Sequence, residues 1–118
     1  MFLFDSSCII EILKNEPLVV EKYKDLILTT ISLTYGEAYL YCLKKNFDIE
    51  QLKKFSVNIV EFTMDDIEKA MELLYVHKKK TKDFSFVDAV VYTVARKNNL
   101  TLVTKDLGFK GLSNVEFI

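Results

Sequence analysis

DFSFVDAVVYTVARKNNLTLVTKD, running from Asp83 to Asp106, reads as a helix followed by a strand, with an acid placed where each element can reach a common point. Val87, Val90, Val91, Val94 and Ala95 recur at the i, i+3, i+4, i+7, i+8 spacing of a helix that buries one face. Asp88 falls on the edge of that stripe, beside Ala95 and one step round from Val87. Asn98 and Asn99 end the helix, and Leu100 to Val103 supplies a short run of β-formers suited to a buried strand, with Asp106 three residues beyond it. In a parallel α/β unit, helices run antiparallel to strands. The start of a helix and the end of a strand therefore share one edge of the sheet, the edge where open α/β sheets bind ligands. Asp88 and Asp106 are predicted to be neighbours there.

The remaining chain repeats the pattern. Phe2 to Phe4 is an apolar opening strand followed at once by Asp5, Ser6 and Ser7, and Ile9, Ile10, Leu13 and Cys8 give a helical stripe ending near Asn15. Pro17 begins another helix. Leu26 to Ile31 is a second strand, after which Ser32 and Thr34 cap a helix over Tyr35 to Lys44 that carries Glu37. Asp48 to Phe55 reads as a short helix, Val57 to Phe62 as a third strand, Asp65 to about Lys79 as a long helix with Ile67, Ala70, Met71 and Leu74 on its face, and Val115 to Phe117 as the last strand. Five strands separated by helices predict a doubly wound α/β sandwich.

A chain of 118 residues, 50% hydrophobic, can bury one core and is read as a single domain over residues 1–118. Sixteen basic against 17 acidic residues leave a net charge of −1, so contacts with nucleic acid must come from local patches. Cys8 and Cys42 stand in apolar surroundings without metal-ligand spacing, which suits reduced core cysteines. No apolar run approaches the ~20 residues of a membrane span, and a soluble cytoplasmic protein is expected.

Asp5, Glu37, Asp88 and Asp106 thus fall at strand ends or helix starts along one sheet edge. Singly, each has an ordinary explanation: Asp5 caps a helix, Thr34-x-x-Glu37 and Ser85-x-x-Asp88 have capping-box spacing, and Asp106 holds a turn before Gly108. Jointly they raise another problem, because crowded carboxylates raise one another's pKa unless a cation joins them. Mg²⁺ or Mn²⁺ takes oxygen ligands and keeps several waters, a combination suited to phosphodiester hydrolysis.

FLFDSSCIIEIL, TYGEAYL, FSFVDAVVYTVA and LVTKDLGF, in that order, resemble the four signature blocks of the PIN-domain nucleases, especially the VapC-type toxin ribonucleases. The resemblance implies a three-layer α/β sandwich around a mostly parallel five-stranded sheet. It also implies Mg²⁺ or Mn²⁺ held by Asp5, Glu37, Asp88 and Asp106, with Ser7 and Thr104 as supporting polar residues. The activity implied is endoribonuclease cleavage leaving 3′-hydroxyl and 5′-phosphate ends. The implied partners are RNA, a second copy of the chain in a homodimer, and a small antitoxin whose tail covers the site.

Two departures stand out. Many relatives carry a further acid shortly after the one matching Asp106, where this chain has Leu107 and Gly108. Arg96 is the single arginine, leaving lysines to contact RNA or antitoxin. His77-Lys78-Lys79-Lys80-Thr81-Lys82 is the one basic run: it can grip phosphates beside the cleaved bond, or simply complement the end of a long helix. Tyr35, Tyr39 and Tyr41 can stack on bases or serve as core and dimer surface. A lone His77 excludes a catalytic histidine pair and is expected at the surface, while Asp83 is expected to cap the helix before Phe84. The alternatives are a catalytically weak PIN-like module that binds RNA or a partner, and a phosphate-transfer α/β domain. The latter wants a second Asp where Ser7 stands, or an acid at the end of the third strand.

Overall fold

The computed structural model describes residues 1–23 and 26–118. Its elements follow the order β1 (Phe2–Phe4), α1 (Ser6–Leu13), α2 (Pro17–Tyr23), β2 (Leu28–Thr30), α3 (Ser32–Lys45), α4 (Ile49–Lys53), β3 (Val57–Ile59), α5 (Met64–His77), α6 (Phe86–Lys97), β4 (Thr101–Thr104), a 3-10 turn (Leu107–Phe109) and β5 (Val115–Phe117). Among the described residues, every paired strand runs parallel to its neighbour. The strands form two ladders, β1-β4-β5 and β2-β3, with Leu3 opposite Leu102 and Leu28 opposite Val57. Between the ladders, the Thr30 hydroxyl donates to the Phe4 carbonyl at 2.7 Å, tying β2 to β1 where a continuous ladder is interrupted.

Strand periodicity explains the layers. Leu3 and Leu102 face one core, with α5 and α6. Their neighbours Phe4 and Val103 face the other, with α1, α3 and α4. Each such buried side chain stabilises the fold by roughly 1.5–3 kcal/mol. The three-layer α/β sandwich follows. The strands are shorter than the apolar runs that announced them: β2 covers only part of 26–31 and β3 only part of 57–62, because the flanking residues leave the ladders. β4 is shifted by one residue, leaving out Leu100 and taking in Thr104, so Asp106 stands two residues past its end.

Helix α6 is buried almost all round, through Ala89, Val90, Val91, Tyr92, Val94 and Ala95, as expected of a helix held between α5 and the sheet. Ser85 caps it, Asn98 donates to the Val94 carbonyl at 2.8 Å, and Asn99 turns the chain at φ 56°. In α1 the buried face is Cys8, Ile9 and Ile12, with Ile10 and Leu13 turned further out than their spacing suggested. Both cysteines are buried and unpaired. Among the described residues, no helix is long and apolar enough to cross a membrane.

Candidate metal centre

The carboxyl ends of the parallel strands converge on three acids. Asp5 follows β1, and its N–H still bonds the Val103 carbonyl at 3.0 Å, so the β1–β4 pairing carries it to the sheet edge. Asp106 follows β4. Asp88 sits in the first turn of α6, fixed by a reciprocal box: Ser85 N–H donates to Asp88 Oδ2 at 2.9 Å, and Asp88 N–H donates to Ser85 Oγ at 3.1 Å. One carboxylate oxygen from each of Asp5, Asp88 and Asp106 lies within 4.8 Å of the others.

Hydroxyls hold Asp5. Thr104 Oγ1 donates to Asp5 Oδ2 at 2.8 Å, and Ser7 Oγ donates to the same oxygen at 3.1 Å. Both hydroxyls are themselves oriented: Lys105 N–H donates to Ser7 Oγ at 2.9 Å, and Asp106 N–H donates to Thr104 Oγ1 at 2.9 Å. Oδ2 is thereby saturated. Oδ1 is buried and accepts nothing, the one such side-chain oxygen or nitrogen among the described residues. A buried lone pair without a donor costs on the order of 1–3 kcal/mol, more for a charged group, and the cost is removed when a cation takes that oxygen.

The electrostatics agree. Burial pushes the Asp88 carboxyl from 3.8 to about 7, helped by the nearby charges of Asp5 and Asp106. Asp5 is also raised by burial, against the pull of the Thr104 hydroxyl. Among the described residues, no lysine, arginine or histidine forms an ion pair with any of the three; Lys105, next in sequence, is spent on Glu11 at 3.0 Å. Three carboxylates crowded without a protein counter-charge, one of them carrying an orphaned oxygen, fit a hard divalent cation.

Glu37 stands apart from this trio. It is exposed on α3, accepts from Ser6 Oγ at 3.0 Å, and is raised by desolvation with smaller contributions from Asp5 and Asp106. It is near enough to share their field, yet its oxygens lie outside the group within 4.8 Å. The Thr34-x-x-Glu37 capping box does not form. The cap residue of α3 is Ile31, and Thr34 is the third helical position, buried and bonded back to the Ile31 carbonyl at 2.9 Å, so Glu37 caps nothing. Asp5 occupies the cap position of α1 without a side-chain cap bond, whereas Asp106 does hold its turn, accepting from Gly108 N–H at 2.8 Å.

Two other expectations are corrected. His77 is buried, not at the surface: it lies seven residues after Ala70 and three after Leu74, on the face α5 turns to the core, and its Nε2 meets the Gly108 carbonyl at 2.9 Å. The helical spacing that marked Ala70 and Leu74 contained this signal. The cap of α6 is Ser85, and Asp83 is an exposed residue two positions earlier. Ser6, the partner of Glu37, is a polar residue beside the site to which the motifs gave no role, whereas Ser85, the partner of Asp88, stands where its capping-box spacing put it.

Fold and centre together define an α/β domain with a carboxylate cluster at the carboxyl edge of a parallel sheet. The family description "PIN domain" matches residues 2–115, and the chain belongs to that family, whose members are nucleases. No curated protein sequence matches it. Solved structures similar to it include a toxin-antitoxin complex from Klebsiella pneumoniae, at 18% identity and TM-score 0.80, covering 98% of this chain and 96% of that one. The sarcin-ricin loop cleaving toxin VapC20 of Mycobacterium tuberculosis is similar at 20% identity and TM-score 0.76, with 98% of each chain covered. VapBC2 of Rickettsia felis, bound to a promoter DNA fragment, gives 19% identity and TM-score 0.70 over 99% of this chain and 96% of that one.

Proposed function

We propose that this PIN domain is a Mg²⁺- or Mn²⁺-dependent endoribonuclease and the toxin of a toxin–antitoxin pair. The observation that carries the reading is the trio Asp5, Asp88 and Asp106, together with the buried Oδ1 of Asp5 that no donor satisfies. Those three would hold the ion, Glu37 would serve as a fourth acid set back from it, and Ser7 and Thr104 keep Asp5 aimed. A divalent ion bound there supplies charge neutralisation for the phosphate and acidifies a water. In the hydrolysis, a water oxygen bonds to phosphorus, the bond to the 3′-oxygen breaks, and a proton passes to that oxygen, leaving 3′-hydroxyl and 5′-phosphate ends. The exposed lysines 78–80 and 82 lead from α5 into the cap of α6 and would track the flanking phosphates.

The similar toxin–antitoxin structures support a small antitoxin as partner, and exposed Leu40 and Leu43 on α3 leave apolar surface for that partner or for a second copy of the chain. RNA cleavage measured with Mg²⁺ or Mn²⁺ tests the reading: Asp5→Asn and Asp88→Asn each abolish it with the fold intact. Cleavage that persists in EDTA, or in both variants, refutes it. The exposed Leu107 in place of another acid favours one competing reading, a PIN-like binding module that takes RNA or a partner without turnover. Binding with no products at any metal concentration would establish that alternative.

A further inference from the structure

The turn that carries Asp106 is fastened from outside the carboxylate cluster. His77, the last residue of α5, is 5% exposed, and its Nε2 lies 2.9 Å from the Gly108 carbonyl oxygen. A carbonyl only accepts, so Nε2 carries the proton and donates it. Gly108 in turn gives its own N–H to Asp106 Oδ1 at 2.8 Å. The imidazole packs edge-on against Phe84 at 4.6 Å, and Phe84 packs against the fully buried Phe109 at 5.4 Å, so both sides of Gly108 are tied to the same aromatic wedge. There is little slack, since a Cβ on Gly108 would stand 3.1 Å from the Asp83 carbonyl oxygen and 3.2 Å from Asp106 Oδ1.

A phenylalanine at position 77 would complete the aromatic stack without burying a polar ring, which is costly unless the ring's hydrogen bonds are made. The imidazole is accounted for by the proton it places on Gly108. We propose that His77 is a positioning residue for Asp106, fixing through the Gly108 carbonyl the turn whose N–H orients the Asp106 carboxylate. The proposal rests on the reading of Asp106 as a metal-holding acid. It makes the last turn of α5, which the lysines follow, part of the apparatus that sets the metal centre.

The test combines Mn²⁺ titration calorimetry with amide hydrogen exchange of the metal-free protein, for the wild type, Asp106→Asn, His77→Phe, His77→Gln and His77→Asn. His77→Phe keeps the stack and removes the donor. It is expected to bind Mn²⁺ about tenfold more weakly, the lower end for loss of a group that orients a ligand. The Gly108 amide should exchange faster by about the same factor while Val91, in the core of α6, keeps its protection. Glutamine, whose amide nitrogen reaches the Nε2 position, restores both; asparagine, which falls short, does not. That polar pair decides the matter alone if the phenylalanine variant fails to fold. His77→Phe within about twofold of wild type on both readouts, with Asp106→Asn losing Mn²⁺, overturns the role of His77 only. Asp106→Asn binding like wild type removes the underlying assignment of Asp106, and this proposal with it.

Discussion

Replacing Asp88 by asparagine should stabilise the metal-free protein above neutral pH and leave it unchanged in acid. The folded-state carboxyl is raised from 3.8 to about 7 by burial and by the charges of Asp5 and Asp106. Between those values the folded protein holds a proton that the unfolded chain releases, so stability falls as pH rises through the window; the penalty is absent below it and complete above about 7. At about 1.4 kcal/mol per pH unit the limiting penalty is on the order of 4 kcal/mol, and water and side-chain relaxation reduce it to about 2 kcal/mol. Asparagine still offers an oxygen to Ser85 N–H, so the reciprocal cap survives. Loss of a negative charge at the start of α6 costs about 0.5 kcal/mol, too little to reverse the sign. Thermal melts in chelator at pH 3.5, pH 5 and pH 8 make the check: Asp88→Asn melts roughly 6 °C above wild type at pH 8, at ~4 °C per kcal/mol, by about a third of that at pH 5, inside the window, and level with it at pH 3.5. Added Mg²⁺ raises the wild-type melting point and closes the gap. A variant that melts at or below wild type at pH 8, with no response of either protein to Mg²⁺, would mean that the three acids are separate structural caps.

Thr104→Val keeps the shape and removes the donor to Asp5 Oδ2 and the acceptor for Asp106 N–H, so Mn²⁺ affinity should drop by about 10- to 100-fold in calorimetric titration. Gly108→Ala forces a methyl group to 3.1 Å from the Asp83 carbonyl oxygen and should destabilise the fold by about 1–3 kcal/mol in urea unfolding. Neutralising Lys78, Lys79, Lys80 and Lys82 together to glutamine should raise KM for RNA and flatten the dependence of binding on salt while leaving kcat in place, measured by steady-state cleavage at several salt concentrations.

Much of the layout was legible because periodicity is a local property. The valine spacing of 87–95 announced α6, the short apolar runs announced β1 and β4, and Ser85-x-x-Asp88 announced a cap that forms as spaced. The strand ends were less legible, since a ladder stops where its partner stops, and β2 and β3 end inside apolar stretches that continue without pairing. Thr34-x-x-Glu37 had the right spacing and the wrong phase: α3 starts earlier than a cap at Thr34 requires, and this leaves Glu37 free to join the field of the acids.

The sequence by itself determined that acids stand at the ends of β-forming runs and at helix starts, and that alternating parallel α/β elements would carry those positions to one edge. Only the tertiary structure decided which of them meet. Asp5, Asp88 and Asp106 come within 4.8 Å because β1 and β4 are hydrogen-bonded neighbours and α6 leads into β4, whereas Glu37, on the far side of β1, stops short. The same packing took His77 out of a run of lysines and buried it against Gly108, because the face α5 turns to the core is set by what α5 packs on and not by the charge of its neighbours in the chain.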